Sequence, residues 1–364
     1  MKVGIMSMQR IQNYGSFLQS YGLKMTIENL GHKVVFLDYK IEKPIVQLEK
    51  PIVQLEKKNI PYRVAKKMYY IMKEDIFHIK SMSHLYNKKY LPMLGITEKR
   101  NYRDQVDVLV IGSDEVFNCL QPNLLVGYSR ELFGKDNNAG KIISYAASCG
   151  NTTLENIKKY NIDKEVGGML KKFSAISVRD NNSFKVINEL TAKAPVINVD
   201  PVIIADFDAY IPEQSKLKDY ILIYSYPNRI RNEKEINAIK NFAQKHNKKL
   251  VSIGSHQKWV DLKIEADPFE LLSYVKNADY IITDTFHGSI FSIKYNKPFV
   301  TFIRESNKQK LRDLLQRFSV ADRELKNADE LEDILLKPMD FDRVNSIIAV
   351  EKEKSISYLQ NNLK

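Results

Sequence analysis

The stretch Asp279-Tyr280-Ile281-Ile282-Thr283-Asp284-Thr285-Phe286-His287-Gly288-Ser289 is where the sequence best concentrates residues fit for chemistry. An apolar run suited to a buried strand ends in small polar residues. His-Gly follows, and then a segment rich in small and apolar residues that reads as a new helix. Ligands of open α/β sheets sit at the carboxyl ends of strands, where helix N-termini offer free amides to anions. Gly288 would let a phosphate or carboxylate approach the backbone closely, with Ser289 beside it. His287 can exchange protons near neutral pH. The pattern points to acid–base chemistry on an anionic substrate; its plainer alternative is a histidine satisfied by a backbone hydrogen bond at the helix start.

Such a site needs a parallel sheet behind it, and the sequence predicts two. Short apolar runs at 2–6, 34–37, 107–111, 142–145 and 175–178 form a first set, and runs at 220–224, 250–253, 280–283 and 299–302 a second. Runs that are apolar throughout, rather than alternating, belong to parallel sheets covered on both faces. Helices are expected at about 15–30, 233–246, 268–277 and 289–295. The βαβ pattern restarts after Asp200-Pro201, so the chain reads as an α/β protein with two Rossmann-like domains facing a cleft. The expected division is 1–205, 206–345 and a C-terminal helix at 346–364. The region at about 41–100 breaks the rhythm as a basic helical insertion. It holds Glu-Lys-Pro-Ile-Val-Gln-Leu twice, at 42–48 and 49–55, too little for a repeat fold. The cations and tyrosines at 62–80 suit either a solvated helix face or an anionic membrane surface.

The 364 residues carry a formal net charge of +12, which favours an acidic partner or reflects only a lysine-rich composition. No nucleic-acid-binding signature is visible, so nucleic acid ranks behind an anionic membrane surface and phosphorylated or carboxylated small molecules. Two cysteines, Cys119 and Cys149, make neither a disulfide framework nor a zinc signature, and no metal ion is expected. The first residues read as a buried strand rather than a signal peptide, and no run is apolar and long enough to span a membrane. A cytoplasmic location is the expectation.

Several further motifs fall in order along the chain: Asn13-Tyr14-Gly15-Ser16-Phe17-Leu18-Gln19, Val110-Ile111-Gly112-Ser113-Asp114-Glu115-Val116-Phe117-Asn118, Ser144-Tyr145-Ala146-Ala147-Ser148, Ile176-Ser177-Val178-Arg179-Asp180, Val199-Asp200-Pro201, Phe286-His287-Gly288 and Asn296-Lys297-Pro298-Phe299-Val300. Any one is weak, but the ordered set resembles the polysaccharide pyruvyl transferase family over most of the chain. The resemblance implies a GT-B-like architecture and phosphoenolpyruvate as donor, with no other cofactor. His287 matches the family's essential histidine, and Arg179 is matched to a donor arginine. Where the family has an arginine two places before the histidine, this chain has Thr285, and Arg304, Lys308 or Arg312 are the candidates to replace it. Glu115 and Phe117 stand where the family usually has Gln and Trp. The opening motif and the Gly112–Asn118 motif place Asn13, Tyr14, Gly15, Ser113, Glu115 and Asn118 on the acceptor side.

Forming a pyruvate ketal requires protonation of C3, stabilisation of positive character at C2 and delivery of two sugar hydroxyls. A proton donor and an acceptor are therefore needed. His287 suits either role. Asp114, at a strand end in the opposite half, is the candidate for the second or for holding a sugar hydroxyl; capping the next helix is its alternative. For Arg179 the alternative is a surface ion pair. The expected acceptor is a sugar of a surface polysaccharide (capsule or exopolysaccharide) or its lipid-linked oligosaccharide precursor at the inner membrane face. Two other functions fit the same residues: a GT-B glycosyltransferase using a nucleotide sugar, and a non-catalytic glycan-assembly protein.

Overall fold

The computed structural model describes residues 1–46, 83–121, 127–213, 217–227, 229–255 and 257–364. The basic aromatic segment 62–80 and most of the duplicated heptapeptide lie outside the described residues.

Two parallel sheets organise the chain. The first has the order β2-β1-β3-β4, built from β1 (Lys2–Met6), β2 (Lys33–Phe36), β3 (Val106–Ile111) and β4 (Ala139–Ser144). Isolated bridges from Ile143 to Ala175 and Ala147 to Val178 carry it on to the short pair β5 (Ser177–Val178) and β6 (Val196–Ile197). The second has six strands in the order β12-β11-β10-β7-β8-β9. These are β7 (Tyr220–Tyr224), β8 (Lys249–Ile253), β9 (Leu262–Ile264), β10 (Tyr280–Thr283), β11 (Phe299–Phe302) and β12 (Glu324–Leu325). The expectation of two Rossmann-like halves holds, and the apolar strands are buried as parallel pairing with both faces covered requires.

Strand order reverses once in each sheet, between β1 and β3 in the first and between β7 and β10 in the second. Such reversals open a crevice beyond the strands' carboxyl ends. The residues after β1 and β3 are the two acceptor-side motifs, and the residues after β10 are the His-Gly motif. The topology thus brings three separated motifs to one cleft.

Helix α1 (Tyr14–Asn29) lies between the halves and is buried on most sides, which explains why it lacks a clear polar face. Helices α2 (Asn181–Thr191), α3 (Glu233–Lys245), α4 (Pro268–Asn277), α5 (Phe286–Lys294) and α6 (Lys308–Arg317) cover the sheets. One apolar cluster runs through both halves, from Val3 and Ile5 through Phe17 to Leu222, Phe269 and Ile290. The last helix, α7 (Phe341–Asn362), returns to the first half. There the Tyr358 hydroxyl donates to the Ser144 carbonyl at 2.9 Å, and Lys141 donates to the Asn362 carbonyl at 2.7 Å.

One boundary matters for the site. The apolar pattern suggested a helix from 289, but α5 begins at Phe286 because Thr285 caps it, its hydroxyl accepting from the Gly288 amide at 2.9 Å. A side-chain cap of this kind stabilises a helix by about 1 kcal/mol. His287 therefore belongs to the first helical turn, which fixes its direction.

Candidate active site

His287 projects from α5 toward the first half and meets α1 at Gly15. A Cβ built on Gly15 would lie 2.2 Å from His287 Nδ1, so only glycine leaves room for the ring there. Asn13 positions this contact by capping α1, its Oδ1 accepting from the Ser16 amide at 2.8 Å. Tyr14 is buried between the halves and donates to the Ala266 carbonyl at 2.7 Å. The opening motif thus aligns the halves around the histidine.

Beneath the ring lies Asp200, 3.6 Å from His287 Nε2. Arg179 donates to the same carboxylate at 2.7 Å, with side chains of Arg179 and Asp200 only 3% and 1% exposed. The Val202 amide donates to its other oxygen at 3.0 Å, and Ser113 Oγ lies at 3.5 Å. Burial alone would push the Asp200 carboxyl up; His287, Arg179 and the Val202 amide outweigh it and hold it at about 2. Arg179 also reaches Asp114 at 3.4 Å and lays its guanidinium 4.2 Å from the centre of the Phe286 ring. Burial opposes the charge on Arg179, but Asp114, Asp200 and Asp180 more than compensate, raising its pKa further. Two buried nitrogens, Arg179 Nε and His287 Nε2, have no hydrogen-bond partner among the described residues. For His287 Nε2 the nearest partner is the Asp200 carboxylate at 3.6 Å, whereas Arg179 Nε is a buried donor that is costly to leave unsatisfied.

Asp114 sits just after β3 with a left-handed backbone (φ 77°), a conformation Asp tolerates better than most residues. Its carbonyl accepts from the Ser148 amide at 2.8 Å, and its carboxylate from the Glu115 amide at 3.0 Å and from Ser16 Oγ at 3.4 Å. It does not cap a helix. Ser113 is fully buried, its carbonyl accepting from Ser7 Oγ at 2.9 Å. Glu115 accepts from Asn118 at 3.0 Å and from Lys310 at 2.5 Å, and Asn118 in turn accepts from Thr152 at 2.8 Å.

The remaining sequence candidates are occupied elsewhere. A Cβ on Gly288 would fall 2.1 Å from Thr283 Oγ1 and 2.7 Å from Thr285 Oγ1. Its glycine is thus explained by the two threonines at the strand end, and its amide is used in the cap. Ser289 is buried within the second half, 2.7 Å from Thr301 Oγ1. Arg304 is held bidentately by Glu235 at 2.9 and 2.8 Å, and Arg312 by Glu324 at 2.5–3.1 Å; Lys308 pairs with Glu305 at 3.3 Å. None of the three joins the cluster around His287. Lys310, which the sequence reading passed over, does, with its ammonium 5.9 Å from the centre of the Phe286 ring. Asp200 was also missed as a site residue, although the Val199-Asp200-Pro201 motif marked its position. Among the described residues no group of three His, Cys, Asp or Glu is arranged to hold a metal ion.

The fold and this cleft define a GT-B-like two-sheet protein. S. aureus MnaA, solved with UDP, is similar with a TM-score of 0.53 at 9% identity, over 100% of this chain and 96% of that one. A putative UDP-N-acetylglucosamine 2-epimerase from Listeria monocytogenes (TM-score 0.50, 8% identity, 100% and 91% covered) and the glycotransferase of kitacinnamycin (0.50, 10%, 100% and 99%) are similar in the same way. At these identities the likeness concerns the fold alone. No curated protein matches the sequence. The family profile for polysaccharide pyruvyl transferase matches residues 13–307, and the chain belongs to that family. That makes it a transferase acting on polysaccharide.

Proposed function

We propose that the protein transfers the enolpyruvyl carbons of phosphoenolpyruvate to two hydroxyls of one sugar, forming a pyruvate ketal and releasing phosphate. The observation that carries this reading is the convergence of His287 and Arg179 on one buried carboxylate, Asp200, with Arg179 Nε left without a hydrogen-bond partner among the described residues. In the reaction C3 gains a proton, C2 gains two C–O bonds and loses its bond to the phosphate oxygen, and the two hydroxyl protons go to C3 and to the departing phosphate. His287 gives C3 its proton, and Asp200 holds the imidazole and balances its charge. Arg179 and the first turn of α5 face the donor's anionic groups. Asp114, across the cleft, takes a proton from or orients the attacking hydroxyl.

The acceptor is a sugar of a growing polysaccharide or of its lipid-linked precursor. No described helix is long and apolar enough to cross a membrane, so a lipid-linked acceptor would be met at the membrane surface. A nucleotide-sugar donor has only the likeness of fold in its favour. Incubating the protein with isotope-labelled phosphoenolpyruvate and candidate glycans, in parallel with nucleotide sugars, tests the reading. The expected result is a glycan heavier by one pyruvate less water, with stoichiometric phosphate. Turnover of a nucleotide sugar with no consumption of phosphoenolpyruvate would overturn it.

A further inference from the structure

The cleft carries more negative than positive charge. Three carboxylates, Asp114, Glu115 and Asp200, are linked by hydrogen bonds and ion pairs to two permanent cations, Arg179 and Lys310. These five side chains carry one more negative charge than positive, which disfavours a small anion at these separations. An anionic substrate is therefore better accommodated if a carboxylate gives way.

The three are not held alike. Asp200 is almost fully buried and fastened by Arg179, the Val202 amide and Ser113. Asp114 is a short side chain tied to the next backbone amide and to Arg179. Glu115 has the longest arm, and among the described residues two side chains bind its carboxylate: Asn118 from its own half and Lys310 from α6 in the other. Its side chain is 19% exposed, against 14% for Asp114 and 1% for Asp200. Burial would push the Glu115 carboxyl up, but Lys310, Asn118 and Arg179 outweigh this and hold it at about 2. It is thus an anion throughout the ordinary pH range and competes for Lys310 as one. Lys310 and Arg179 both lie against Phe286, the residue before His287, and line one cavity together with Asp200, Asp313 and Arg317.

We propose that Lys310 is an anion-binding residue of this cleft and that Glu115 is its displaceable counter-ion. The phosphate or carboxylate of the substrate replaces the Glu115 carboxylate on Lys310, and Glu115 turns toward solvent. No covalent bond changes. Lys310 keeps a partner in both states, which avoids the cost of leaving a half-buried ammonium unpaired. Because Glu115 and Lys310 belong to different halves, the exchange also transfers their bridge from a side chain to the ligand. That the ligand is phosphoenolpyruvate rests on the function proposed above; the exchange itself does not.

Calorimetry on the full chain with inorganic phosphate, and separately with phosphoenolpyruvate, tests the exchange. Glu115→Gln keeps the shape and the contact with Asn118 but removes the competing charge, so anion binding should tighten by about tenfold. Lys310→Gln should weaken it by about tenfold, and the double variant should bind like Lys310→Gln alone. A bridge that only stiffens the cleft would make both single variants move the same way. Phosphate binding by Glu115→Gln that is unchanged or weaker overturns the proposal, and this variant alone decides should Lys310→Gln not fold. Lys310→Arg, which keeps the charge, should retain binding; its loss would also count against the exchange. If the wild type binds phosphate with these opposite effects yet neither binds nor consumes phosphoenolpyruvate, the exchange stands and the proposed donor falls.

Discussion

The two faces of helix α6 carry the same kind of side chain and do different things with it. Lys308 and Arg312, four residues apart, fall on one face with their own side chains exposed, and pair with Glu305 and Glu324. Lys310, midway between them, is turned about 200° from either and reaches across the cleft to Glu115. Three cations in five residues therefore separate by helical period into two that meet solvent and one that meets the site. Position in sequence selected the right helix for a substitute cation; the phase of the helix selects the residue. Leu311, Leu314 and Leu315, all buried, lie between those two faces, so the apolar stripe alone does not tell Lys310 from Lys308.

If the cleft cations and the histidine between them are the working set, the largest loss should come from His287. His287→Ala should lower turnover by about 10²–10⁴-fold while the protein stays folded, because positioned acid–base groups contribute on that scale. His287→Gln, able to hydrogen-bond but not to shuttle a proton, should be as poor. Recovery of most of the rate by Gln would leave the histidine only an orienting role, and steady-state turnover with a circular dichroism melt reads both outcomes.

Arg179→Lys comes next. The charge survives, but a lysine cannot hold Asp200 and Asp114 together while lying flat on Phe286. A lost charge-assisted bond of about 1.5–3 kcal/mol corresponds to roughly 10–100-fold in turnover over the Michaelis constant. Unchanged constants for phosphoenolpyruvate would place Arg179 outside the reaction.

Asp200→Asn should be milder in rate and more telling in pH. If the Asp200 carboxylate supports the working charge state of the site, the pH–rate profile of Asp200→Asn should differ from that of the wild type. Stability follows the same carboxylate with a definite sign. Its folded pKa, about 2, lies below the ordinary carboxylate value, so its contribution is complete above about pH 4 and disappears as the pH falls toward 2. Wild type and Asp200→Asn should accordingly converge in stability on acidification. A rate loss with an unmoved profile would reduce Asp200 to a packing role.

How much of this was legible in the sequence follows from what each feature depends on. The strands were readable because parallel pairing demands continuous apolar runs, and residues 108–111 and 280–282 are such runs. The two-residue strands Ser177–Val178 and Val196–Ile197 pair mainly with each other, and the second left no apolar run to find. His287 was readable because strand end, small polar residues and helix start are all local. Asp200 was not, because its importance comes from Arg179, His287 and Ser113, three residues contributed by distant turns. Gly288 was singled out for the right reason of position but with the wrong neighbour: Thr283 and Thr285, not a ligand, occupy the space its side chain would need.

The outer face of α6 provides the smallest expected effect and the control for the rest. Arg312 is 44% exposed and spends its guanidinium on Glu324, on the side of the helix away from His287. Exposed pairs of this kind contribute little, so Arg312→Gln should change stability by no more than about 1 kcal/mol and leave anion binding and turnover within about twofold of wild type. The two substitutions are chemically alike, two residues apart on one helix, and each removes one positive charge from the same net total. General electrostatic attraction of an anion by a basic protein would therefore weaken equally in Lys310→Gln and Arg312→Gln, and both losses would fade together with added salt. A specific contact predicts a loss confined to Lys310→Gln that persists at high ionic strength. Equal losses in phosphate affinity for the two variants would mean that net charge, rather than the phase of the helix, draws anions to the cleft.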